Sequence, residues 1–198
     1  SMASIDGDKA WYEEPLFPVI FNNAGFNVVF FSNQFVKEAG MSTYDASMGF
    51  FNHPSLASKL FDYRNSRKFL YDGYLLDYYK SKKTIVENDS LNLVFFHLYG
   101  QHVNPASRFP SDRSFFKPSD YMNRVELNQQ QKQEVANYDN ATLYNDSVVY
   151  EIIKMYENKN AAVFYFADHG DEANDYRPHI GRSRGLHIIG APGLHCQL

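Results

Sequence analysis

The chain has 198 residues, a net charge of −4 and one cysteine, Cys196. That length supports one substantial core, and the scattered basic residues exclude the cationic stripe that nucleic-acid binding requires. A lone cysteine excludes an internal disulfide framework, and no apolar run reaches the roughly 18 residues of a membrane span. The 15 Tyr and 17 Phe fit a packed core or a large buried interface, not a disordered chain.

Ser1-Met2-Ala3-Ser4 reads as a cloning remnant, and the N-terminus lacks the charged-then-apolar order of a signal peptide. Pro15 to Phe21 predicts a short helix opened by proline and stopped at Asn22-Asn23-Ala24-Gly25. Phe26 to Phe31 then predicts a buried strand ending at Ser32-Asn33-Gln34, where the polar groups either meet a substrate or satisfy loop backbone. Phe35 to His53 carries no regular pattern and reads as a surface excursion, followed by a short helix over Ser55 to Tyr63. Asp72 to Ser81 predicts a helix with Asp72 as N-cap and Leu75, Leu76 and Tyr79 on its buried face.

Leu91 to Leu98 is a second buried strand, running into Tyr99-Gly100-Gln101-His102, and Val103 to Lys117 is a loop with Arg108 and Arg113. Both arginines are candidates to pair with a phosphate or sulfate. Glu126 to Asn158 predicts the longest helical stretch, with a break near Asn137 to Asn140 and Ala141, Val148, Ile152 and Met155 facing the sheet. The seven apolar residues Ala161 to Ala167 predict a strand covered on both faces, leading straight into Asp168-His169-Gly170. Asp168 offers a hard oxygen and His169 a borderline nitrogen, a donor pair that zinc accepts, although the triplet also reads as a capped turn beside a surface histidine.

Strand, helix, strand recurs, so a mainly parallel α/β sheet is expected, with Phe26 to Phe31, Leu91 to Leu98 and Ala161 to Ala167 as parallel strands. Their C-terminal ends, carrying Ser32-Asn33-Gln34, His97 with His102, and Asp168-His169, then fall on one sheet edge, where open α/β sheets bind ligands. His97, inside its strand, reads as a hydrogen-bonded core histidine, and His102 is the better functional candidate.

The order GFNVVFFSNQ, YDGYLL at Tyr71 to Leu76, FHLYGQH at Phe96 to His102 with RFP at Arg108 to Pro110, YDNATLYND at Tyr138 to Asp146, and FADHGDE at Phe166 to Glu172 resembles the periplasmic catalytic domain of bacterial phosphoethanolamine transferases, in the sulfatase and alkaline phosphatase superfamily. The similarity runs from about Pro15 to Arg182. It implies an α/β fold, a three-layer α/β/α sandwich of the alkaline phosphatase type, here an incomplete single domain over residues 1–198 with an atypical tail over 183–198. The activity it implies is metal-dependent transfer of phosphoethanolamine from a phospholipid to lipid A or another envelope glycan by a threonine nucleophile. By motif match Asp168 and His169 look like zinc ligands and His102 like the histidine that steadies the phosphoryl group or protonates the leaving oxygen. Asn33, Gln34, Arg108, His179 and His187 are substrate-binding candidates, and either His179 or His187 is also a candidate for the further histidine that family members often place near the metal. One or two Zn2+ ions are implied, with Ca2+, Mg2+ and Mn2+ as alternatives.

The resemblance further implies a periplasmic domain of an inner-membrane protein, membrane contact through a further N-terminal region, and no nucleic-acid partner. A homodimer through exposed aromatic surface is a further expectation. Family members take a glutamate ligand and the threonine from upstream of the Gly25 strand, and none of Thr43, Thr84 and Thr142 stands in a matching context. The chain alone is therefore expected to bind zinc weakly and to turn nothing over. The alternatives are a sulfatase or phosphodiesterase of the same superfamily, with water as acceptor, and a non-catalytic interaction module.

Overall fold

A computed structural model describes residues 17–34, 60–87, 91–102, 104–167, 170–175, 178 and 180–181. The irregular stretch from Phe35 to His53 lies outside these residues. Of the helix expected over Ser55 to Tyr63, residues 60–63 are described, and only Leu60 is helical, because Tyr63 pairs as a strand beside the Asn27–Ser32 strand. Helix α1 (Phe17–Asn23) leads through Gly25, whose φ of +88° suits a residue without Cβ, into strand β1 (Asn27–Ser32). A two-residue strand β2 (Tyr63–Arg64), helix α2 (Asp72–Val86), strand β3 (Asn92–His97) and helix α3 (Gln129–Tyr156) follow. The sheet has the order β2-β1-β3 with both pairings parallel, and β1 and β3 are in register from Asn27 opposite Asn92 to Ser32 opposite His97. A separate antiparallel pair joins β4 (Glu172–Ala173) to β5 (Ile180–Gly181).

Strand β1 is central because both of its faces are apolar. Val29 and Phe31 point to a cluster with Leu75, Leu76 and Tyr79 of α2 and Val148 and Ile152 of α3. Val28 and Phe30 point the other way, to Leu60 and Phe61, with Val19 and Phe21 of α1 packed against them. Period-two alternation thus builds three layers, helices on both faces of a parallel sheet, as expected of the α/β fold class. Where β2 ends, Asn65 continues the pairing through its side chain: Oδ1 accepts from the Ser32 amide at 2.8 Å, and Nδ2 donates to the Ser32 carbonyl at 2.8 Å.

Three expectations change. Ala161 to Ala167 forms no strand and is exposed, with Phe164 85% and Phe166 81% accessible. An apolar run becomes a strand only where a partner supplies a ladder and a layer covers its faces, and the apolar stripe of α3 is already spent on the β1 side. Helix α3 is not broken at Asn137 to Asn140, because Gln133 Nε2 donates to Asn137 at 3.0 Å and Asn140 bonds the 115–116 turn, so neither side chain competes with the helix backbone. Tyr71, not Asp72, is the N-cap of α2, and it makes no side-chain cap bond. Among the described residues no helix is long and apolar enough to cross a membrane.

At its C-terminal end α2 is tied to α3 by a polar cluster. Lys83 and the Tyr79 hydroxyl both donate to Glu87, Tyr156 donates to Glu87 at 3.0 Å, and Lys83 Nζ reaches the Tyr79 hydroxyl at 2.9 Å. Burial pushes the Glu87 carboxyl up, but the bonds from Lys83, Tyr79 and Tyr156 outweigh it and hold the carboxyl below its ordinary 4.5. A depressed folded pKa stabilises the fold above the unfolded value and loses that contribution as pH falls through the folded value. Glu87→Gln is therefore expected to lower stability by about 1–2 kcal/mol near neutral pH. Thermal melts of the two proteins should converge as the pH is taken below 4.5, and a gap that stays constant into acid would show the carboxylate to be dispensable.

Candidate active site

Parallel pairing brings the ends of β1 and β3 to the same sheet edge, and the link is direct, since the Asn33 amide donates to the His97 carbonyl at 2.9 Å. His97 Nδ1 lies 3.0 Å from Ser32 Oγ, the hydrogen-bonded strand histidine that the sequence suggests. Gln34 closes the corner: its amide donates to Ser32 Oγ at 3.0 Å and its side-chain Nε2 donates to the Leu98 carbonyl.

Beyond β3 the chain turns at Gly100, with φ +55°, and the His102 amide closes the turn onto the Tyr99 carbonyl at 3.0 Å. A short 3-10 turn, Pro105–Ser107, then returns Arg108 over this loop. Arg108 Nε donates to the His102 carbonyl at 2.8 Å, and its guanidinium lies 4.0 Å from the centre of the Tyr99 ring. With Nε and one face fixed, the two terminal nitrogens keep the fork that suits an oxyanion. Gln101 Nε2 reaches Thr142 Oγ1 on α3 at 3.0 Å, so this loop is braced from the helix side as well.

Asn33 lies beneath this edge, not on it. Fully buried, it donates from Nδ2 to Asp72 at 2.9 Å and accepts from the Phe69 amide, so its carboxamide is engaged on both sides. Asp72, 4% exposed, also accepts from the Tyr99 amide at 3.0 Å and the Gly100 amide at 2.9 Å. Burial pushes its carboxyl up, against the pull of these bonds and of the Arg108 charge. Sequence reading gave Asp72 only a cap role; three backbone and amide donors converging on one carboxylate are set by tertiary contacts and leave no periodic trace.

The structure thus brings Gln34, His102 and Arg108 to one edge. Asp168, His169, His179 and His187 lie outside the described residues, so their approach to His102 does too. Asn145 Nδ2 of α3 donates to the Tyr165 hydroxyl at 3.1 Å, and the Asn145 carboxamide also flanks the Gly100 turn. Downstream, Asn174 of the β4–β5 turn bonds Glu134 Oε2 of α3 at 3.0 Å. Among the described residues no group of three His, Cys, Asp or Glu gathers to hold a metal. The Asp168 and His169 donor set, one carboxylate oxygen and one imidazole nitrogen, suits zinc chemically.

The family model described as Sulfatase matches residues 2–188. Over 94 residues the chain is 36% identical to phosphoethanolamine transferase EptC of Escherichia coli K12, covering 46% of this chain and 16% of that relative. Over 118 residues it is 31% identical to the Kdo(2)-lipid A phosphoethanolamine 7''-transferase of the same strain, covering 59% of this chain and 20% of the relative. Among solved structures, the C-terminal periplasmic domain of EptC from Escherichia coli superposes with TM-score 0.66 at 26% identity, over 86% of this chain and 47% of that one. A zinc complex of the same domain gives TM-score 0.65 at 25% identity. The chain thus spans about half of that solved domain and a much smaller share of the whole relatives.

Proposed function

Starting from a chain that belongs to the sulfatase family, we propose that the protein transfers phosphoethanolamine from a phospholipid to lipid A or a related envelope glycan, and that residues 1–198 are part of its catalytic domain. The observation that carries this reading is the meeting of His102, Arg108 and Gln34 at the C-terminal edge of two parallel strands. The named activity of the relatives supports it. Zinc is the proposed ion, with Asp168 and His169 as the residues to hold it, and the zinc complex of the similar domain supports that choice. When bound, such an ion supplies Lewis acidity and offsets phosphoryl charge.

The chain's own residues have separable tasks. Arg108, held by Tyr99 and the His102 carbonyl, grips two phosphoryl oxygens through its terminal nitrogens, so the phosphorus sits beside the loop that carries the imidazole. As the upstream threonine oxygen bonds to phosphorus and the bond to the glyceride oxygen breaks, His102 delivers a proton to that departing oxygen, which needs an imidazole within hydrogen-bond reach of it. The acceptor hydroxyl then takes the group from the threonine, and its proton returns to His102. Gln34 fixes the floor of the corner through Leu98. The proposed setting is a periplasmic domain anchored at the inner membrane, facing a phospholipid donor and a glycolipid acceptor.

The test is transfer by the zinc-loaded parent protein, which includes the upstream region expected to supply the threonine and the glutamate, from phosphatidylethanolamine vesicles to lipid A, read by mass spectrometry. Residues 1–198 alone are expected to transfer nothing. The expected product is lipid A heavier by one phosphoethanolamine, with His102→Gln lowering the rate by about 10²–10⁴-fold. Ethanolamine phosphate released to water with lipid A unmodified would instead make the protein a hydrolase of the same family. Neither product from a folded, zinc-loaded sample would sink the reading.

A further inference from the structure

We propose that Asp72 is the positioning residue of this site: its buried carboxylate joins the end of β1 to the Tyr99–His102 loop and so sets where His102 and Arg108 stand. The inference rests on the function proposed above. Its geometry stands independently. Asp72 Oδ1 accepts from Asn33 Nδ2 at 2.9 Å and from the Tyr99 amide at 3.0 Å, and Oδ2 accepts from the Gly100 amide at 2.9 Å. Tyr99 is the ring beneath the Arg108 guanidinium, and Gly100 is the turn that leads to His102. The two backbone bonds to the carboxylate therefore each end on a group that places a site residue, while the Asn33 bond ties the carboxylate to the end of β1.

A helix-start aspartate whose task was the helix would accept from amides of its own first turn. This one does not, and the N-cap Tyr71 makes no side-chain cap bond either, so α2 leaves its N-terminal amides without a side-chain cap at Tyr71 while Asp72 serves the loop. Three donors with no competing acceptor also require a carboxylate, because asparagine would turn an NH2 group toward one of them. The platform beneath is stiff. A Cβ at Gly73 would come within 2.5 Å of the Tyr144 hydroxyl, and that hydroxyl accepts from the Gly73 amide at 3.2 Å, so the start of α2 is seated directly on α3.

The experiment compares Asp72→Asn with Tyr79→Phe, which loosens α2 at its far end without touching the loop, by amide hydrogen exchange and by NMR titration with phosphoethanolamine. In the unmodified chain the Tyr99 and Gly100 amides should exchange as slowly as the Phe31 amide, that is, only on global unfolding. Asp72→Asn should raise exchange selectively over residues 99–102 and weaken phosphoethanolamine binding at the Arg108 and His102 signals by about 10-fold. Tyr79→Phe should lower Tm while leaving both within about 2-fold. Equal losses in the two variants, in proportion to Tm, would reduce Asp72 to a folding residue and overturn the proposal. Should Asp72→Asn fail to fold, fast local exchange of Tyr99 and Gly100 in the unmodified chain overturns it and slow exchange upholds it. A chain that ignores phosphoethanolamine while Asp72→Asn still frees residues 99–102 keeps the clamp and removes the function.

Discussion

Phe31→Ala is expected to lower the unfolding free energy by about 3–5 kcal/mol, the largest loss for a single truncation on β1. The ring is completely buried, with the Tyr79 ring edge-on at 5.1 Å and the Tyr63 ring stacked at 5.3 Å. Phe96 of β3 and Tyr78 of α2 complete its surroundings at 6.4 and 6.1 Å. Truncation removes the contact surface of the sheet with α2, and these aromatic neighbours are themselves pinned by hydroxyl bonds such as Tyr63 to Tyr78 at 3.3 Å, so they cannot collapse into the space. Urea unfolding followed by circular dichroism measures the loss. A change below about 1 kcal/mol would mean that the core refills and that β1 is not the element the layers are built on.

Asn140→Ala should cost about 2–4 kcal/mol, because it leaves two amides and a carbonyl without partners in a dry place. Asn140 is 1% exposed; its Oδ1 accepts from the Phe115 amide at 2.7 Å and the Phe116 amide at 2.8 Å, and its Nδ2 donates to the Phe116 carbonyl at 2.9 Å. No other polar side chain of α3 holds this turn with as many bonds among those described. Thermal melts should show the loss, and amide exchange at Phe115 and Phe116 should accelerate far more than at Phe31. A loss under about 0.5 kcal/mol would show that water takes over all three bonds.

The two stability effects differ in how far they could be foreseen. Phe31 belongs to an apolar run bounded by Gly25 and Ser32, and such a run announces a buried strand before any partner is known. Asn140 gives the opposite signal on its own, since asparagines in a helical stretch compete for backbone and suggest a break; only its bonds to residues 115 and 116, far away in sequence, turn it into a brace.

By itself, then, the sequence determined the β1 and β3 strands, the buried faces of α2 and α3, and the placing of Ser32-Asn33-Gln34 and His102 at strand ends, because hydrophobic periodicity and turn residues act locally. Its ordered motifs also sufficed for the family. The tertiary structure alone decided which polar groups serve the fold and which face outward: Asn33 and Asp72 went under the edge, and Arg108 was laid over Tyr99. It also decided that Ala161 to Ala167, an apolar run like the other two, makes no ladder. Strand formation, burial of a carboxylate and the direction of a guanidinium all depend on partners supplied by distant segments, and composition along the chain carries no record of which segments meet.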